Sequence, residues 1–323
     1  MTYKKGLYET QQETLIEAWE TEVPSNLNQV IGFFSSPLVW AAQKVLPEHL
    51  MISALEKAMA AADKFSGKNE ILESAKHLGL NISSIEELKI APLSICDILS
   101  ENAAVWAKGL AGVEGAITGI TGIAGLAADV PGLILLTLQT IKRIGFCYGF
   151  DTSREEEKAF VIEVFLAGSA NSLEEKKTAI NDALNIDYYV SDSNNPEARK
   201  KMSGFLSREG LNAAIRNLAK RLIINLSRRK ATQVIPVIGG GVGAVLNTFF
   251  LSDIANSSKR LFQKRRLRSF SNSNYLPAKV PQPVSGSNSD LNSPSLTTPE
   301  KTSPEISQPS ASPDPFKEDS DQN

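Results

Sequence analysis

Up to about residue 268, apolar residues recur at three- and four-residue intervals, and sustained period-two alternation is missing. That pattern predicts an all-α body with no sheet. Several helix starts are marked by their polar residues. Ser36-Pro37 and Leu46-Pro47 put proline where a first turn accepts it, and Ser83-Ser84 followed by Glu86-Glu87 resembles a capping box. From Pro47 to about Lys64 the period sets Leu50, Ala54, Leu55 and Met59 on one side, a stripe that predicts burial. Glu155-Glu156-Glu157 lead into Phe160, Val161, Val164 and Phe165, and acids in a first turn complement the helix dipole. A polar connection through Asp192, Asn194, Asn195 and Pro196 precedes a helical run from Leu211 to Arg229.

Two stretches depart from the usual amphipathic pattern. The first carries Gly109, Gly112, Gly115, Gly119, Gly122 and Gly125, then Asp129-Val130-Pro131-Gly132, then an apolar run to Ile141. Each glycine inside a helix costs about 0.8–1.0 kcal/mol relative to alanine, so close packing against protein or lipid must offset the loss. On a helical wheel Gly112, Gly115, Gly119 and Gly122 share an arc of roughly 80°, a smooth face for a neighbouring backbone. The second stretch, Ala231 to Leu251, contains Pro236 and Gly239-Gly240-Gly241. Both are nearly free of charge and long enough to reach across a bilayer, but each is interrupted in the middle, by Asp129–Gly132 and by Pro236 with its glycines. Arg228-Arg229-Lys230 precede the second stretch, and Lys259, Arg260, Lys264, Arg265, Arg266 and Arg268 follow it. Basic clusters tend to stay on the cytoplasmic side, so helical hairpins that dip into the bilayer or lie on it fit better than single straight spans. Asp129, an acid in an apolar stretch, is expected to cap the helix that follows it or to act as a buried functional acid.

Charge divides the chain further. Residues 1–198 are net −12 and residues 199–268 net +14, with only Glu209 and Asp253 as acids in the second part. Such poles can neutralise each other within one fold, or the basic one can meet anionic lipid or nucleic acid. From Ser269 onward nine of the sixteen prolines stand among serine, asparagine and acids, a composition that cannot offset its ordering entropy. The expected organisation is therefore a helical domain over 1–268 and a disordered Ser/Pro-rich tail over 269–323. Cys96 and Cys147 have no paired spacing, which suggests neither a disulfide framework nor a zinc site and fits a reducing compartment. The polar N-terminus lacks the apolar core of a signal peptide, so retention in the cytoplasm is expected.

Catalytic chemistry is not legible. Gly239-Gly240-Gly241-Val242-Gly243-Ala244 matches a dinucleotide-binding spacing, but Pro236 interrupts the strand it needs, and Lys264-Arg265-Arg266 occupy the place of the required acid. His49 and His77 belong to no metal or nucleophile spacing, and there is no P-loop. No cofactor or metal is expected. The aromatics of the basic part follow no nucleic-acid recognition motif, which makes nucleic acid an unfavoured partner.

Glu114-Gly115 with the glycine run, Asp129-Val130-Pro131, Tyr148-Gly149-Phe150-Asp151, and Ile235-Pro236-Val237-Ile238-Gly239 through Asn247 occur in this order. Together with Trp19, Trp40 and Val45-Leu46-Pro47 they resemble the EcsC protein family, a poorly characterised bacterial family, over about residues 8–268. The resemblance implies a helical, membrane-associated protein and offers no catalytic residues. The family's name suggests an accessory role in ABC-type transport or envelope processes. The combined expectation is an irregular helical bundle with two glycine-rich hairpins, non-enzymatic, on the inner face of the cell membrane. Gly112, Gly115, Gly119, Gly122, Asp129, Pro131, Pro236, Gly239, Gly240 and Gly241 are its membrane or packing residues. Arg228, Arg229, Lys230, Lys264, Arg265 and Arg266 meet an anionic surface, and a membrane transport protein is a candidate partner. A soluble helical interaction module and an unrecognised enzyme are the alternatives.

Overall fold

The structure is a computed structural model that describes residues 5–24, 47–64, 67–118, 122–192, 194–231 and 239–272. Within 111–129, 225–247 and 270–272 only backbone is described. The described residues form helices and no strand, as the periodicity predicts. In chain order these are α1 (Leu7–Thr21), α2 (Glu48–Lys64), α3 (Lys68–His77), α4 (Leu93–Thr118), α5 (Gly122–Cys147), α6 (Lys158–Ser169), α7 (Leu173–Ser191), α8 (Pro196–Leu206), α9 (Arg208–Ala231) and α10 (Gly239–Asn272), with short 3₁₀ turns at Ile85–Ile90 and Glu155–Glu157.

Local chemistry sets most of the boundaries. Glu87 accepts from the Ser84 backbone N–H at 2.9 Å and completes the expected capping box, although the element it opens is a 3₁₀ turn. Asn195 accepts from the Glu197 N–H at 2.9 Å to cap α8, with Pro196 in the first position. Tyr148-Gly149-Phe150 end α5. The Phe150 N–H donates to the Gly145 carbonyl at 3.0 Å and the Gly149 N–H to Phe146 at 2.9 Å, a Schellman motif that needs the left-handed φ of +87° at Gly149.

The core is built around α10, which packs against α1, α4, α5, α6 and α7. Phe262 of α10 lies between Phe150 and Phe160, with ring centroids 5.7 and 5.1 Å away. Such pairs contribute about 0.5–1.5 kcal/mol each beyond their buried area. Further along, Gly168 lets α6 approach α10 closely, because a Cβ there would stand 2.9 Å from the Ile254 Cα. In α2 the buried stripe is Met51, Leu55, Ala58, Met59 and Ala62, whereas Leu50, expected on the buried side, is 54 % exposed.

A further expectation is corrected. α5 runs through Asp129, Val130, Pro131 and Gly132 without a break, so Asp129 lies in the helix interior and not at the start of a following helix. Pro131 removes one ladder donor and is accommodated on an exposed side of the helix. α10 continues past Ser269 to Asn272, and residues 273–323 lie outside the described residues.

A partly buried acid makes the fold pH-sensitive. Glu163 of α6 is pushed up to about 8, first by burial and then by Asp182, with Arg221 opposing. The folded state therefore holds a proton that the unfolded chain releases near its ordinary carboxyl pKa, and stability falls as pH rises between those values. The slope for one such proton approaches about 1.4 kcal/mol per pH unit. Urea midpoints at pH 5, 7 and 9 are expected to fall across this range relative to a Glu163→Gln protein. At the α6–α10 contact, Gly168→Ala is expected to cost about 1–3 kcal/mol by the same denaturation measurement.

Candidate functional site at the hairpin end of the bundle

Helix directions bring the two glycine-rich segments to one end of the molecule. Gln263 pairs with Asp97 at 2.8 Å and Lys259 with Glu101 at 2.8 Å, so α10 and α4 run antiparallel. The end of α4 and the start of α10 therefore lie at the same end. α5 returns from α4 after residue 118, and the short connection between Ala231 and Gly239 keeps the end of α9 near the start of α10. α2 packs along α5 with Asp63 bonded to Lys142, which turns Glu48 toward this end too, and Lys220 of α9 lies 4.0 Å from Glu48.

Apolar side chains are exposed on the helices that reach it. Val105 and Leu110 on α4, Ile224 on α9, Phe249 on α10 and Leu50 on α2 all face solvent. Burying them in a partner or a lipid surface would be favourable at about 25 cal/mol per Å². Gly112, Gly115, Gly122, Asp129, Gly239, Gly240 and Gly241 fall on the described backbone of these helices, without side-chain detail; Gly119 and Pro236 lie outside the described residues.

Val130–Cys147 is, among the described residues, the stretch long and apolar enough to cross a bilayer, yet 78 % of it is buried within the protein. Thr137 and Thr140 bond back to the carbonyls of Leu133 and Leu136 at 2.7 Å, so their hydroxyls are satisfied within the helix. This half of α5 is core.

The basic end of α10 is also core, which corrects the expectation that Arg265 and Arg266 meet an anionic surface. Arg265 is 3 % and Arg266 1 % exposed. Arg265 is held by Glu157 in a forked pair, with Nη2 to Oε1 at 3.0 Å, and its Nε donates to Asp187 at 2.7 Å. Its guanidinium lies 4.2 Å from the Phe150 ring centroid and 4.6 Å from that of Phe160. Burial would weaken its charge, but Glu157 and Asp187 outweigh that and hold its pKa above the ordinary guanidinium value. Arg266 donates to the Ala91 carbonyl and to the Cys96 sulfur. Lys264 is engaged by Glu20 of α1. The side chains of Arg228, Arg229 and Lys230 lie outside the described residues.

A neutral-donor node stands beside this ion pair. Asp97, 2 % exposed, accepts from the Tyr8 and Tyr148 hydroxyls at 2.6 Å each and from the Gln263 amide. Burial, then the charge and hydrogen bond of Asp97, push the Tyr148 hydroxyl pKa well up, so it stays a donor. Locally nothing marks this node beyond a lone acid between Cys96 and Ile98. Both cysteines are free and buried, and burial raises the Cys147 thiol, so neither is a reactive nucleophile.

Among the described residues no cluster of His, Cys, Asp and Glu could hold a metal ion. The chemistry of the α10 end is thus that of a folded ionic core. Removing one partner of such a pair leaves a buried charge, so Arg265→Gln is expected to cost about 3–5 kcal/mol in urea denaturation. Lys264→Gln, partly exposed, is expected to cost no more than about 1 kcal/mol.

The comparisons with known proteins agree with the sequence resemblance. Uncharacterized protein YdbA of Bacillus subtilis (strain 168) is 27 % identical over 184 residues, covering 57 % of this chain and 62 % of that protein. The match thus spans less than two thirds of that relative's length. No solved structure matches the chain. The profile of the EcsC protein family matches residues 10–267, from the start of α1 to the buried end of α10, and the chain belongs to that family.

Proposed function

We propose that this chain is a non-enzymatic helical protein that docks on the cytoplasmic face of the cell membrane through its hairpin end. The observation that supports this is that the α4–α5 hairpin, the end of α9 and the start of α10 lie toward one end, with Leu110, Ile224 and Phe249 exposed on those helices. Glycine-rich helix turns there suit close backbone packing, while the apolar side chains enter the head-group boundary.

Arg228, Arg229 and Lys230 close α9 near the same end, and they remain the basic residues for anionic head groups once Arg265 and Arg266 are assigned to the core. A polybasic segment at an anionic surface gains about 1 kcal/mol per well-placed residue. The hairpins dip and do not cross, because the apolar half of α5 is already enclosed by protein. Such a docked bundle is suited to serve a membrane partner, and an accessory role beside ABC-type export or another envelope process follows from the family's name alone.

The enclosure of Val130–Cys147 favours a second reading, in which the same end binds another protein and the chain is a helical interaction module. Vesicle co-sedimentation separates the two. The full chain is expected to sediment with phosphatidylglycerol vesicles and much less with phosphatidylcholine. A triple Arg228→Gln, Arg229→Gln, Lys230→Gln protein is expected to bind the anionic vesicles roughly 100-fold more weakly at low ionic strength. A chain that stays in the supernatant with both lipids, and in the soluble fraction of cells without detergent, gives first place to the interaction module.

A further inference from the structure

A groove of about 650 Å³ runs between the start of α3, the end of α2 and the middle of the α4–α5 hairpin. Arg143 of α5 lines it while being 6 % exposed. Its guanidinium lies 4.2 Å from the ring centroid of Trp106 and rests on Gly67, where any Cβ would collide with it. Nη2 donates to Glu70 at 2.6 Å, while Nε has no partner among the described residues. Lys64 and Lys68 also line the groove, and Lys68 donates to Asp151 at 2.8 Å, which leaves its other ammonium protons for the groove.

α3 opens into the same space. Its N-cap is Gly67, which supplies no side-chain acceptor, so the first N–H groups of this ten-residue helix have none from a cap. A helix start of this kind favours anions, and the buried guanidinium beside it does so independently. Glu70, in the first turn and 65 % exposed on its side chain, now supplies the negative charge. It satisfies one nitrogen of Arg143 from the solvent side and leaves the rest of the groove open.

We propose that this groove binds a phosphate group, which displaces the Glu70 carboxylate from Arg143. A tetrahedral anion accepts donors from several directions, as Arg143, Lys64, Lys68 and the α3 N-terminus present them, whereas Glu70 engages one nitrogen of Arg143 from a single side. Trp106 and Leu110 extend the groove's apolar wall along α4 toward the hairpin end. That continuity suits a lipid phosphate whose chains lie toward the membrane, and a free phosphate shares the polar part of the site. Only the lipid source rests on the membrane reading; the phosphate chemistry stands apart from it.

Calorimetric titration of the full chain with inorganic phosphate and with monomeric dihexanoyl phosphatidic acid tests the site. Saturable binding is expected, about threefold or more tighter for Glu70→Gln, and about tenfold or more weaker for Arg143→Gln. Tighter binding of the lipid than of phosphate assigns the lipid source, and equal binding assigns free phosphate. Because Arg143→Gln could unfold the chain, the exposed Lys64→Gln serves as the second variant, with weakening of at least about twofold expected and circular dichroism as the check on folding. The proposal is overturned if Glu70→Gln binds neither probe, if it binds no better than the unmodified chain, or if Lys64→Gln binds as well. Saturable phosphate binding without vesicle sedimentation keeps this site and removes the membrane reading; sedimentation without phosphate binding does the reverse.

Discussion

Arg265 carries a full charge into the centre of the bundle, and the arrangement of the helices around it follows from that. An unpaired guanidinium in such surroundings would be prohibitively unfavourable, so two acids from other parts of the chain must be delivered to it. Glu157 comes from the turn before α6 and Asp187 from α7, while Phe150 and Phe160 cover the faces of the guanidinium. Fixing those four residues fixes α5, α6, α7 and α10 relative to one another. Asp97 repeats the logic with neutral donors, tying α1, α4 and α10 together through Tyr8 and Gln263 and reaching Tyr148 at the end of α5. Among the described residues, Lys220, Lys259, Lys264 and Arg265 of the basic part are paired with acids of the acidic part.

This inward use of charge shapes the outside. With Arg265 and Arg266 buried, and Lys259 and Lys264 held by Glu101 and Glu20, the C-terminal half of α10 presents little free positive charge. The same helix, anchored at that end, delivers its glycine-rich start to the far end of the bundle beside the α4–α5 turn. On the helices that reach it, Leu50, Leu110, Ile224 and Phe249 are exposed. The groove floored by Arg143 lies along α4 and α5, away from that end. These placements underlie the reading of the hairpin end as the docking surface and of the groove as a place for a charged group.

Much of the local structure was legible because it depends on neighbours in sequence. Pro47 before α2 and the Ser84–Glu87 box act within one helical turn and were found where expected, whereas Asn195-Pro196, read as a connection, opens α8. Asp129-Val130-Pro131-Gly132 misled for an equally physical reason. A proline and a glycine weaken a helix by an amount that packing of the flanking turns can recover, and here Val130, Leu133 and Ile134 are buried in the core. Leu50 was placed on the wrong side of its stripe because a period alone does not say where the arc of contact ends.

By itself, the sequence determined the all-α class, the family, a few helix starts and the separation of charge, since periodicity, caps and composition act over short distances or by simple counting. Tertiary structure alone decided which charges face inward. Nothing in the local sequence marks Arg265 and Arg266 as buried, and they are core because Glu157, Asp187 and the Ala91 carbonyl come to them from far along the chain. Arg143, Glu70 and Trp106 meet for the same reason: their proximity is a property of packed helices, to which no spacing in the chain corresponds.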